Sequence, residues 1–311
     1  MVRMNKRGMF FTLLTIVIIS LFVLSFVFIP SYEERKTTQR RVETLNSFVL
    51  AVEDDMERQL YTSGYRIIFV FEKKILENDA KIDEFDARVT ELFMDGKYLG
   101  VDETVMIDAK FNGIQDILNE IASKVNAEVV MTNPVFTLTQ EDPWNVNASL
   151  TVDLVIKDTS GLASWTKTAE TYSAYIPISN FDDPLYILST HGLLTKKMIQ
   201  GTILPDGTSS QQALNDHILN SQYIANPDAP SFLDRLQGID TSNGNGVESF
   251  VNLDDLSDAQ INAKSEVSVV DHIYFPDGAG IPVYGCTGMP SWFILDGDHV
   301  TFYNSYGFVC S

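Results

Sequence analysis

Four histidines, His191, His217, His272 and His299, are the side chains in this 311-residue chain best suited to bind a metal ion or move a proton near neutral pH. No two of them fall at ligand spacing on one expected element. A zinc centre needs three or four converging His, Cys or acidic ligands, so no metal site is assigned. Asp271-His272 and Asp298-His299, together with Ser291, offer the residue types of a hydrolase triad. His272 lies within, and His299 borders, a segment that reads as a strand, where adjacent side chains face opposite sides, so neither Asp orients its neighbouring His. The sequence also has no Gly-x-Ser-x-Gly elbow. Hard oxygens gather at Asp240, Ser242 and Asn245 and again at Asp254, Asp255 and Asp258. A calcium loop of the EF-hand type would need glycine where Asn245 stands and glutamate where Val251 stands, so this stretch reads as a solvated turn. The resulting expectation is no catalytic residue, no metal, no cofactor and a role that is not enzymatic.

Cys286 and Cys310 allow one pairing, which would close a loop of about 25 residues and contribute about 3 kcal/mol in the chain-entropy model. Asn147-Ala148-Ser149 is a glycosylation sequon. Asp182-Asp183-Pro184-Leu185-Tyr186 reads as a structural lock, its carboxylates capping a turn while the apolar residues enter the core. Aromatics at Trp292, Phe293, Phe302 and Tyr303 crowd the cysteine loop as core or as a patch for a surface ligand.

The elements that carry these residues follow from periodicity. From Thr37 to Asn78 the pattern is helical: Val42, Leu45, Val49, Val52 and Met56 recur at steps of three and four, a stripe suited to a stalk that packs on copies of itself or on its own domain. Ile82–Met94 and Phe111–Val125 are further amphipathic helices. The period then shortens: 127–139, 146–157 and 166–176 read as three antiparallel strands. Short helices are expected at 211–219 and 229–236, then strands at 267–275, 292–295, 300–303 and 306–309, with Asp296-Gly297-Asp298 a hairpin turn. The class is α+β, an antiparallel-sheet head behind an N-terminal helix, with room for two subdomains: 79–190 around the meander and 191–311 closed by the disulfide.

Ahead of the head lies a charge-free run from Met9 to Ile29, long enough as a helix to span the roughly 30 Å hydrocarbon core of a bilayer. Cleavable secretory signals carry about 7–15 apolar residues, so a retained transmembrane helix over 9–29 is favoured over cleavage near Val23-Leu24-Ser25. A basic leader (1–8) precedes it and the stalk (30–78) follows. The short leader, the sequon and the distant cysteines place the large domain outside the cell membrane on a single pass. Seven of the 22 Lys and Arg but only Glu33 and Glu34 of the 42 acids fall within residues 1–41, leaving the remainder with a net charge of −25. Such a domain repels phosphate backbones, which argues against nucleic-acid partners.

Lys6-Arg7-Gly8 followed at once by Met9-Phe10-Phe11-Thr12-Leu13 resembles the class III signal peptide of archaeal type IV pilin-like surface proteins. The resemblance covers about the first 30 residues. It implies cleavage between Gly8 and Met9, with the apolar helix left on the protein, and puts Pro30 at an offset where many bacterial pilins carry a helix-bending proline. Leu13 departs from the family's glutamate at the fifth mature position. The expected role is a membrane-anchored extracellular structural or adhesive protein, with membrane lipid, copies of itself or other pilin-like subunits, and a surface ligand as partners. The alternatives are a tethered ligand-binding or sensory ectodomain and a surface hydrolase.

Overall fold

One helix, α1 (Lys6–Asn78), runs through both the apolar stretch and the expected stalk, without a break in secondary structure at Pro30. The computed structural model describes residues 6–201, 217–220, 222–276, 280–304 and 309–311, apart from the side chains of 6–9, 26–35 and 304. The expected cleavage pair, Gly8 and Met9, lies outside the described side chains. Thr15 and Ser20 turn their hydroxyls back onto the carbonyls of Phe11 and Ile16, at 2.8 Å each, which keeps them compatible with an apolar helix. The two halves of α1 meet different surroundings. From Phe10 to Leu24 the large apolar side chains are 42–65% exposed, whereas Leu45, Val49, Val52, Met56 and Leu60 are buried. Arg41 ties the helix to the head, reaching Asp158 at 2.6 Å and the Asn126 carbonyl at 3.0 Å. Among the described residues no helix is long and apolar enough to cross a membrane.

Of the five residues expected to form a stalk seam, only Val42 remains exposed (38%). The other four are consumed by the head itself, because the stripe lies against β4 (Asn145–Asp158) and β5 (Ser164–Pro177) of the central sheet. With β3 (Ala127–Asp142) these form an antiparallel meander in the order β3-β4-β5, with Val129 opposite Ile156 and Val146 opposite Ile176. Alternation explains the register: Val146, Ala148, Leu150, Val152, Leu154 and Ile156 of the middle strand all point into the core. Two helices, α2 (Phe85–Asp95) and α3 (Phe111–Lys124), cover β3, and between them in the chain lies the two-residue hairpin of β1 (Lys97–Tyr98) with β2 (Val101–Asp102). Phe93 of α2 stacks on Phe136 at 4.0 Å. From α3 the Asn119 amide donates to the Val129 carbonyl (2.9 Å) and accepts from its N–H (2.8 Å), occupying edge groups of β3 that would otherwise invite another strand.

Helix and sheet approach most closely at Gly64. A Cβ there would lie 2.5 Å from Ile176 Cδ1 and 2.8 Å from Ala148 Cβ. Gly64→Ala, which in an open helix gains about 1 kcal/mol, is therefore expected to destabilise the head by about 1–3 kcal/mol through overpacking. Urea unfolding checks this; an unchanged midpoint would mean that α1 can lift off the sheet.

The C-terminal half is built from short pieces. Asp183 caps α4 (Pro184–Ser189), accepting the Leu185 N–H at 2.8 Å, with Pro184 in the first turn where its missing N–H costs nothing. The strands β6 (Ile199–Gln200), β7 (Gln222–Ala225) and β8 (Val247–Glu248) form a small mixed sheet. Ser231 and Asp234 make a reciprocal capping box on α5 (Phe232–Leu236). There follow α6 (Leu253–Asp258), α7 (Asp271–Tyr274), the hairpin of β9 (Val283–Gly285) with β10 (Ile294–Asp296), and α8 (Gly297–Asn304). Cys286 and Cys310 are joined as a disulfide.

Several expectations change here. The strand read over 267–275 does not form, since Val270 makes only an isolated bridge to Phe250 and 271–274 are α7, and the turn Asp296-Gly297-Asp298 with a strand at 300–303 is instead the start of α8. Asp296 occupies the N-cap position and takes the His299 N–H at 3.2 Å, an N-terminal signal that outcompetes the hairpin. Residues 202–216 and 305–308 lie outside the described set, and with them most of the helix expected at 211–219 and most of the strand at 306–309. The main core continues past residue 190 to Met198, Tyr223, Phe232, Leu236 and Val247, so 190/191 does not divide it. Asn147 sits in the middle strand, 7% exposed, its Nδ2 donating to Glu141 Oε1 at 3.3 Å. The folded sheet thus holds the sequon amide inside rather than offering it at the surface.

Candidate functional site

Three apolar cores meet in the C-terminal half: the main one, one around Phe250, Phe293 and Tyr303, and one around Tyr186, Val251 and Tyr274. A buried polar network occupies their junction. Arg235 of α5, fully enclosed, donates from Nη1 to Asp183 Oδ2 (2.6 Å) and Asp271 Oδ2 (3.0 Å), and from Nη2 to the Val247 carbonyl. Tyr223 Oη donates to Asp183 Oδ2 at 2.7 Å, and Ser249 gives both its N–H (3.0 Å) and its hydroxyl (2.8 Å) to Asp271 Oδ2. Burial opposes ionisation of Asp271, but the Arg235 guanidinium and His272 hold its carboxyl well below the usual range. Lys196 Nζ donates to the Phe250 carbonyl (2.9 Å), Tyr186 Oη (3.1 Å) and Ser249 Oγ (3.2 Å); burial pulls it down to about 8 against the attraction of Asp271 and Asp183. The expected lock at Asp182–Tyr186 is thus built through Asp183, Tyr186 and Arg235.

Next to this junction, three elements bring Glu248 (β8), His272 (α7) and His299 (α8) together. His299 Nε2 lies 3.1 Å from Glu248 Oε2, His272 Nδ1 lies 4.0 Å from the same oxygen, and the two imidazole centroids are 5.5 Å apart. Asp296 holds His299 Nδ1 with both oxygens at 2.8 Å, and His272 Nδ1 rests 3.3 Å from Asp271 Oδ1. Glu248 is further fixed by Tyr303 Oη on Oε1 (2.5 Å) and Asn226 Nδ2 on Oε2 (2.7 Å). Although burial works against it, the bonds to Asp296 and Glu248 push His299 up to about 10; Asp296 in turn is held below the ordinary carboxylate range by His299 despite its own burial. Both histidines form part of the wall of an open cleft of about 610 Å3, which Asp228, Asp240, Ser242 and Asp298 also line. Its described lining has four aspartates against two histidines and no Lys or Arg, so it suits a cation or a ligand with a positive group.

Comparison with family models, curated proteins and solved structures finds no match for this chain. The function must be read from the geometry.

The sequence reading separated His272 from His299 because it looked for ligands on one element, and these come from two. His191 is exposed and paired with Asp79 at 2.6 Å. His217 is buried with neither ring nitrogen hydrogen-bonded among the described residues, and burial pushes it down to about 3. Ser291 is exposed and lines no part of the cleft, and Asp296, not Asp298, orients His299, so the triad is not assembled. Asp240 and Ser242 reach the cleft, whereas Asn245 turns to the Gln140 carbonyl (2.8 Å) and Asp254, Asp255 and Asp258 sit on α6, so the calcium set does not converge. Spacing in the sequence does not single out Glu248, Arg235 or Lys196, and it gives Asp296 only a place in a turn. Only Asp296 carried a local signal, an N-cap with histidine three residues on.

A different buried acid gives a pH prediction. Glu72 of α1 leaves Oε1 without a partner among the described residues, and burial, with Asp182 nearby, raises its pKa from 4.5 to about 8. Between those values the folded chain binds the extra proton, so stability falls as pH rises from about 4.5 through 8. Glu72→Gln removes that slope. Its stability relative to the parent is expected to rise by about 1–4 kcal/mol between pH 5 and pH 8. Urea midpoints at the two pH values measure it, and a difference independent of pH contradicts the assignment.

Proposed function

We propose that this protein is a membrane-anchored surface protein of pilin-like design, with its apolar N-terminal helix in lipid or against copies of itself and its acidic head displayed outside. The carrying observation is the division of α1 into an apolar, exposed stretch from Phe10 to Leu24 and a half buried in the head. Soluble domains rarely leave so large a continuous apolar surface uncovered. In the sequence the uncharged run extends over Met9–Ile29, a bilayer's width, after Arg3, Lys6 and Arg7. The Cys286–Cys310 disulfide suits an oxidising compartment. Since Leu45, Val49, Val52 and Met56 are taken up by the head, self-association falls to the exposed stretch.

The test is alkaline carbonate extraction of native membranes, followed by electron microscopy of the retained protein. Retention with filaments supports the pilin-like reading; complete release contradicts membrane anchoring. Retention with isolated particles favours the second reading, a tethered ligand-binding ectodomain, for which the acidic cleft beside His272 and His299 speaks.

A further inference from the structure

We infer that Glu248, His272 and His299 form a binding site for one borderline divalent transition-metal ion, Zn2+ foremost, with a coordination position open to the cleft. One ligand atom from each residue lies within 4.8 Å of the others. Tetrahedral zinc with nitrogen and oxygen ligands at about 2.0–2.2 Å sets its donors roughly 3.3–3.5 Å apart. The 3.1 Å between His299 Nε2 and Glu248 Oε2 is already close to that edge, and the 4.0 Å from Glu248 to His272 Nδ1 closes if Nδ1 moves toward Glu248 and gives up its 3.3 Å contact with Asp271 Oδ1. An ion bound here takes the place of the hydrogen bond between His299 Nε2 and Glu248 Oε2.

The surroundings are those of a supported centre. Asp296 grips Nδ1 of His299 with both oxygens, which fixes the ring and aims Nε2 at Glu248; ligating histidines are commonly oriented by a carboxylate in this way. Glu248 has Oε1 committed to Tyr303, so Oε2, which also accepts from Asn226 Nδ2 at 2.7 Å, is the oxygen that ligates. The three ligands stand on separate braced elements: β8 is paired to β7 through Ile224 and Glu248, α7 follows the bridge between Phe250 and Val270, and α8 is capped by Asp296. Two imidazoles with one carboxylate oxygen suit zinc and its neighbours; calcium and magnesium would ask for six or more oxygens. Both histidines face the cleft, which supplies a route in and room for water or a ligand at the remaining position, and Asp228, Asp240 and Asp298 draw cations toward it. The inference does not depend on membrane attachment.

The full chain in detergent, stripped with a chelator, is titrated with Zn2+ by calorimetry and separately with Co2+ by absorption. One equivalent of Zn2+ is expected to bind and to raise the melting temperature, and Co2+ is expected to give the intense visible bands of a four- or five-coordinate ion. His299→Ala should abolish that equivalent. Asp296→Asn, which keeps an acceptor for Nδ1–H and so disturbs folding least, should weaken binding about 10- to 100-fold. His191→Ala, at the exposed histidine, should bind as the parent does. The inference is overturned if the parent shows neither saturable Zn2+ binding nor the Co2+ bands, or if His299→Ala or Asp296→Asn binds as tightly as the parent. Should His299→Ala fail to fold, the Co2+ spectrum of the parent and the Asp296→Asn affinity decide. A protein released from membranes yet binding one Zn2+ would refute the anchoring proposal alone.

Discussion

Replacing Arg235 with leucine is expected to cost about 3–5 kcal/mol of folding stability, enough to leave much of the chain unfolded at 37 °C. The guanidinium is wholly enclosed and is the common partner of Asp183 and Asp271, both equally enclosed. Removing it leaves two carboxylates facing one another without their counter-ion, and neither can reach water. Arg235→Lys should recover only part of the loss, because one ammonium cannot reproduce a fork that reaches Asp183, Asp271 and the Val247 carbonyl together. Adding Asp183→Asn and Asp271→Asn to Arg235→Leu removes the stranded charges and should restore stability toward the parent. Urea unfolding of the set measures the effect. A loss below 1 kcal/mol for Arg235→Leu would mean that the network is not what joins the three cores.

On the anchoring proposed above, the paired substitution Leu14→Arg with Ile18→Arg is expected to move the protein from the membrane pellet to the soluble fraction. Each arginine near the middle of a spanning helix costs about 2.5–3.5 kcal/mol, so together they weaken insertion by about 5–7 kcal/mol. Both positions are exposed and distant from the contacts that hold the head, so its unfolding midpoint should not change. The comparison is Val135→Arg, a still more exposed apolar residue in β3 of the head, which should leave the protein in the pellet. Equal release by both substitutions would point to a general effect of added charge.

Much of the architecture was legible in the chain. The meander was, because apolar residues recur at every second position of β4 from Val146 to Ile156 and its neighbours carry β-branched and aromatic residues; the three strands extend the expected ranges by only one to three residues at most ends. Helices α2 and α3 were visible from their apolar faces for the same reason. What periodicity cannot state is the partner of a face. Leu45, Val49, Val52 and Met56 read equally well as a seam between molecules, and the fold spends them on β4 and β5. The site was hidden for a related reason: Glu248, His272 and His299 converge from three short elements, and spacing rules see only ligands that share one. Asp296-Gly297-Asp298-His299 fits a hairpin turn and a helix start alike, and only the carboxylate's bonds to the His299 N–H and ring decide for the helix.

The account turns on whether the apolar half of α1 stays with the mature protein. Intact-mass spectrometry of the chain purified from native membranes tests this most directly. It should find residues 9–29 present, with the chain beginning at Met9 if the leader is cut after Gly8. A mature chain that begins beyond Phe26, recovered free of membrane, would contradict it.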